Sequence, residues 1–110
     1  MIAYDLYFDN GIAVYGASYF HLYEAVEYIV KSPNGCGMYI ESQYGLRYEV
    51  VREVTEDSVI YRAKPIGVIS INNITKRYHL TTPDGIIHEF KTRNEIENFV
   101  KVVLAKRICD

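Results

Sequence analysis

Residues 78–90 read YHLTTPDGIIHEF, and they decide the architecture. Thr82-Pro83-Asp84-Gly85 suits a type I turn, with proline setting φ at the second position and glycine taking the left-handed residue of a bulge. A three-residue loop of that kind pairs Thr82 with Ile86, Leu80 with His88 and Tyr78 with Phe90. A two-residue loop would set Leu80 opposite Glu89 instead. The first register gathers the apolar side chains on one face, and a slip by one residue would scatter them. Downstream, Ile96, Phe99, Val100, Val103 and Leu104 recur at the i, i+3, i+4, i+7, i+8 spacing of a single helix face. Thr92 with Glu95 forms a capping box at the start of that helix.

The same pattern stands earlier in the chain. Tyr4, Leu6, Gly11, Ile12 and Val26 recur as Tyr78, Leu80, Gly85, Ile86 and Val100, an offset of 74 residues throughout. Around Asp9-Asn10-Gly11 the three-residue geometry pairs Phe8 with Ile12 and Leu6 with Val14. Leu22, Ala25, Val26, Ile29 and Val30 repeat the five helical offsets, and Ser18 occupies the position of Thr92 as a cap. Residues 2–32 and 76–108 therefore predict two ββα units. Five shared identities suggest a duplication without requiring it, because any two hairpin–helix units aligned on a turn glycine share some of them.

Between the units the chain is rich in strand signals. Gly35-Cys36-Gly37 separates the first helix from a strand at Met38–Glu41, and Tyr44-Gly45 reads as the next turn. Residues 46–54 place Leu46, Tyr48, Val50 and Val54 on one face and Arg47, Glu49 and Glu53 on the other, the pattern of a strand with one wet side. Thr55-Glu56-Asp57 suits a turn. Val59–Ala63 follows as a strand, Lys64-Pro65 interrupts it, and Ile66–Ile71 resumes; proline confines that site to an edge, a strand start or a bulge. The fold expected is one α+β domain over residues 1–110, in the order ββα-ββββ-ββα. Its mainly antiparallel sheet has about six to eight strands and carries two amphipathic helices.

Size and composition fit a globular domain. The 110 residues, 49% hydrophobic and 24% charged, suffice for a real core. No apolar run approaches the ~20 residues that span a bilayer, and no basic-then-apolar leader opens the chain. Cys36 and Cys109 stand far apart, outside any metal-like or redox-like pair, and read as free thiols in a reducing cytoplasm.

Charge and tyrosine are distributed unevenly. Residues 1–57 hold nine acidic and three basic side chains, whereas residues 58–110 hold five acidic and nine basic. Nine of the eleven tyrosines fall within the first 48 residues. Tyr7 and Tyr15 read as outward-facing on the first hairpin, and Tyr19, Tyr23 and Tyr28 surround the first helix beside Asp5, Asp9, Glu24 and Glu27. Tyrosine offers a large contact area with a polar tip, so it is enriched at interfaces. Carboxylates interleaved with aromatics suit a site on a partner that evolved for phosphates and bases. Direct nucleic-acid binding needs a basic stripe, and Lys76, Arg77, Lys91, Arg93, Lys101, Lys106 and Arg107 scatter instead. Lys106 and Arg107 suit a helix C-terminus, and Lys101 can pair with Glu97 at i, i+4.

Catalytic signals are weak throughout. The hairpin register sets His79 and His88 on opposite faces, and His21 has no ligand-type neighbour. Cys36 follows a helix C-terminus, where the dipole opposes a thiolate. Glu49 and Glu53 share a face but lie about 13 Å apart by strand rise, too far for a dyad. No phosphate-binding glycine pattern opens a helix.

The residues thus point to a small non-enzymatic protein with no cofactor, catalytic residue or metal ligand set. It is expected to block a protein partner through Asp5, Tyr7, Asp9, Tyr15, Tyr19, Tyr23, Glu24, Glu27 and Tyr28. The expected role is that of a phage- or mobile-element-type inhibitor of a host nuclease or CRISPR complex. An immunity protein against a toxin, a self-assembling structural protein and a small enzyme without a linear motif are the alternatives.

Overall fold

The computed structural model describes residues 1–9 and 11–100. Among these residues, seven strands and two helices follow one another. They are β1 (Tyr4–Phe8), β2 (Ala13–Tyr19), α1 (Leu22–Lys31), β3 (Met38–Ser42), β4 (Leu46–Val54), β5 (Val59–Ile71), β6 (Tyr78–Thr81), β7 (Ile87–Phe90) and α2 (Arg93–Phe99), with a 3₁₀ turn at Gly35–Gly37. All strands join one antiparallel sheet in the order β2-β1-β3-β4-β5-β6-β7. The two hairpins therefore occupy opposite edges, and the α+β domain is as expected.

The turn chemistry sets both hairpins. Thr82 N–H donates to the Ile86 carbonyl at 3.0 Å and Gly85 N–H to the Thr82 carbonyl at 2.9 Å. Phe8 N–H donates to Ile12 and Gly11 N–H to Phe8, each at 2.8 Å. Gly11 and Gly85 both take φ of 85°, the conformation that selects glycine there. Leu80 opposes His88 and Tyr78 opposes Phe90, as the register predicts.

The first hairpin departs from the second beyond Tyr7. Tyr7 opposes Ala13, yet Asp5 opposes Ser18, three residues further along β2 than an unbroken register allows. That slip buries both Val14 and Ala17 and leaves Tyr15 fully exposed. It also corrects the expected cap: Ser18 stays in the strand, and α1 begins after His21, which makes no side-chain cap bond. At α2, Thr92 Oγ1 accepts from Glu95 N–H at 3.3 Å, while Glu95 reaches back to Lys91 N–H at 2.9 Å.

The centre is held by a single long strand. β5 runs through Pro65 with a bulge there: Gly67 opposes Arg47, whereas Tyr48 opposes Pro65, leaving Ile66 as the extra residue. Gly67 has φ of 155°, and a Cβ on it would overlap the Thr81 carbonyl of β6.

Alternation carried across the sheet sets each residue's face. Leu6, Ile40, Tyr48, Val50, Ala63 and Val68 share one face with α1. Arg47, Glu49, Ile69, Leu80 and His88 share the other with α2. Each helix covers the equivalent residues of its own hairpin, but the two hairpins present opposite faces of the sheet. Beneath α1 the core is apolar, with Leu6, Val14, Ala17, Ala25, Ile29 and Ile40 at its centre. Beneath α2 it is smaller, built on Ile66, Leu80, Ile96 and Val100.

Candidate functional site

The surface residues singled out from the sequence divide between the two faces of the sheet. Tyr19, Tyr23, Glu24, Glu27 and Tyr28 gather around α1. At 100° per residue, Glu24 and Tyr28 lie on the flank facing β2, whereas Tyr23, Val26 and Val30 lie on the flank facing β5. On the β2 flank the Tyr19 and Tyr28 rings meet at 6.1 Å with a 47° tilt, and a shallow depression between them is bordered by Glu24 and Glu27. Tyr15 stands at the sheet edge with its whole side chain in solvent. On the β5 flank an open groove of about 590 Å³ runs between Leu22, Tyr23, Val26 and Val30 of α1 and Tyr61 and Ala63 of β5.

Asp5 and Tyr7 lie on the α2 face instead. Tyr7 does not face outward as expected: its ring stacks on Tyr39 at 5.5 Å with a 19° interplanar angle. Burial, together with Glu41 and Asp5, raises its hydroxyl pKa. Asp9 sits at the first turn, where its N–H donates to the Gly37 carbonyl at 2.8 Å. One continuous acidic-aromatic face is therefore replaced by a compact set on α1 and a separate pair beneath it.

A charge network occupies the α2 face, and it overturns the reading of β4 as wet on that side. Arg47 and Glu49 are 0% and 1% exposed. The Arg47 guanidinium holds Glu97 bidentately, through Nη1 to Oε1 at 2.6 Å and Nη2 to Oε2 at 2.8 Å. It also donates to Glu49 Oε1 from Nη2 at 2.6 Å and from Nε at 3.1 Å, and lies 3.7 Å over the Tyr39 ring. Burial by itself would lower the Arg47 pKa, but the hydrogen bonds and charges of Glu97 and Glu49 outweigh it and hold the guanidinium ionised. Arg93 donates to the Tyr39 hydroxyl and lies 4.0 Å from Glu97. Glu97 thus points inward onto Arg47, not outward to Lys101; Lys101, Lys106, Arg107 and Cys109 lie outside the described residues.

β4 alone gives little sign of this network, because strand alternation marks Arg47 and Glu49 as one face without saying what covers it. The signal that was present is Glu97 on the flank of the α2 stripe, one residue from the buried Ile96.

The titratable groups with shifted pKa values do not line the groove. Glu41 is raised by burial and by Asp5 and Glu97 against the pull of Arg47, and it lies on the α2 face. Asp84 is lowered by the Thr82 hydroxyl within the second turn. His88 packs its ring against Phe99 at 4.7 Å, and His79 pairs with Glu89 at 3.4 Å on the opposite face, as the register requires. Among the described residues no three His, Cys, Asp or Glu side chains converge on one point, and no helix is long and apolar enough to cross a membrane.

The chain is thus an α+β protein with one helix on each face of an antiparallel sheet. Comparison with family models, with characterised proteins and with solved structures finds no match to it.

Proposed function

We propose that the protein is a small non-enzymatic inhibitor that occupies a partner protein's surface through the β2 flank of α1. The observation that carries this reading is the grouping of Tyr19 and Tyr28 with Glu24 and Glu27 at one sheet edge, on a strand and the helix that follows it. Aromatic rings with polar tips supply contact area at low entropic cost, and the carboxylates confer a preference for a basic partner. Glu27 contributes less to that preference, because Lys31 pairs with it on the same helix. A phosphate- or base-binding channel of a nuclease or CRISPR complex is the kind of surface such a flank fits, so the protein acts as a phage- or mobile-element-type blocker. A toxin's active-site channel presents the same chemistry, and an immunity role differs only in the partner.

The test is affinity capture from the native host with wild type and with Tyr19→Ser/Tyr28→Ser side by side. One nucleic-acid-processing protein should be recovered stoichiometrically by wild type and lost from the double variant, with thermal unfolding nearly unchanged. Capture that survives the double substitution would rule this flank out.

A further inference from the structure

We propose that the depression beside Tyr19 and Tyr28 is a receptor for one arginine side chain of the partner protein; this rests on the reading of the β2 flank as the partner surface and names the group that flank holds. Glu24, Glu27, Tyr28 and Lys31 stand at i, i+3, i+4 and i+7, so α1 brings them to one side, next to Tyr19 at the end of β2. The depression they line holds about 280 Å³. Small-molecule sites run to roughly 300–1,000 Å³, so this one has room for a single side chain and not for a cofactor.

The occupant's chemistry follows from the walls. Two tyrosine rings tilted at 47° form a wedge with centroids 6.1 Å apart. One cation can therefore stand within the roughly 6 Å of both over which a ring face attracts it. Glu24 and Glu27 are like-charge neighbours about one helical turn apart, and Lys31 answers only Glu27. Glu24 pairs with no cation among the described residues. The helix dipole favours a carboxylate at Glu24 in the first turn, but it asks nothing of Tyr19 or Tyr28. Lys31 shows the sign of the site: an ammonium already lies on its rim, its side chain 72% exposed and held by one weak pair. A guanidinium is the better occupant, because it is planar, weakly hydrated and able to lie on a ring while its fork holds a carboxylate. The protein builds that arrangement once in its interior, where Arg47 lies 3.7 Å over the Tyr39 ring and donates to Glu49 and Glu97. Arginine is also the residue that lines phosphate-binding channels, the surface this flank fits.

Titration of the isotope-labelled chain with acetyl-Gly-Arg-Gly-amide, followed by amide NMR shifts, tests this. Saturable shifts should centre on Tyr19, Glu24 and Tyr28, and the citrulline counterpart, equal in shape but uncharged, should produce none. Tyr28→Leu and Glu24→Gln should each weaken binding about two- to fivefold. Lys31→Met should strengthen it, because the resident competitor is gone. The absence of saturable shifts, equal binding of the citrulline peptide, tighter binding of choline (the cation of a lipid headgroup) or weaker binding by Lys31→Met would each overturn the proposal. Partner capture separates it from the reading beneath it. An arginine peptide that binds while capture survives Tyr19→Ser/Tyr28→Ser keeps the receptor and removes the inhibitory flank. Capture lost from that double variant, with no binding of the arginine peptide to wild type, keeps the flank and removes the receptor.

Discussion

The two helices are docked on the same sheet by different physics. α1 rests on apolar side chains alone, with Ala25 and Ile29 against Leu6, Val14, Ala17 and Ile40. α2 has a smaller apolar contact, supplemented by the fully buried Glu49–Arg47–Glu97 cluster and by Arg93 on Tyr39. Apolar docking is tolerant, because any side chain of similar volume restores most of it. Ionic docking is not, because removing one partner strands the others without solvent. The two repeats, similar in pattern, are therefore unequal in how they fail.

Removing Arg47 is the most severe way to expose that inequality. Arg47→Ala leaves two buried carboxylates facing each other and should cost about 3–5 kcal/mol in urea unfolding. Ile29→Ala under α1 falls in a similar range, about 2–5 kcal/mol, through a cavity. The distinction appears on repair. Replacing all three charges together, Arg47→Met with Glu49→Leu and Glu97→Leu, should recover the Arg47→Ala loss and add up to about 1–4 kcal/mol beyond wild type. A triple variant as unstable as Arg47→Ala would mean that shape, not stranded charge, determines how α2 docks.

This contrast also explains what could be read from the chain beforehand. The second hairpin's register, the first turn as far as Tyr7, the α1 stripe and the Thr92 cap follow from local rules, since turn geometry and periodicity act over a few residues. So does the Ile96, Phe99 and Val100 part of the α2 stripe; Val103 and Leu104 lie outside the described residues. The α1 surface set of Tyr19, Tyr23, Glu24, Glu27 and Tyr28 was legible for the same reason: it belongs to one helix and its approach. The placement of Tyr7 and the burial of Arg47 depend on contacts over long separations, 50 residues in the case of Glu97. Alternation along a strand divides residues between two faces. Which face another element will cover is a matter of topology, and the slip between Asp5 and Tyr7 shows how a local irregularity also moves a helix start.

The helix starts form the next contrast, at smaller energies. Thr92→Ala removes an acceptor for Glu95 N–H and should cost about 1 kcal/mol. Ser18→Ala, at the matching repeat position, touches no helix end and should stay within ~0.5 kcal/mol of wild type. Chemical denaturation of both variants measures the difference directly. Equal losses would place Ser18 at a working cap and undo the three-residue slip in β2.

The smallest expected effect is at Glu41, which lies beside the ionic cluster without belonging to it. Burial raises its carboxyl pKa first, Asp5 and Glu97 add to the rise, and Arg47 opposes it. The folded protein therefore holds a proton on Glu41 at pH values where the unfolded chain has lost it. Linkage then makes the contribution of Glu41 to stability greatest below the ordinary carboxylate value of 4.5 and erodes it as pH climbs through the raised folded value. Glu41→Gln carries no ionisable group, so it escapes that erosion. Wild type and variant should unfold alike in acid, and the variant should be the more stable at neutral pH. The difference curve between their melting temperatures isolates this residue from every other titrating group. A variant less stable at neutral pH would show that attraction to Arg47 exceeds the cost of burial, and Glu41 would then count as a third carboxylate of the α2 cluster.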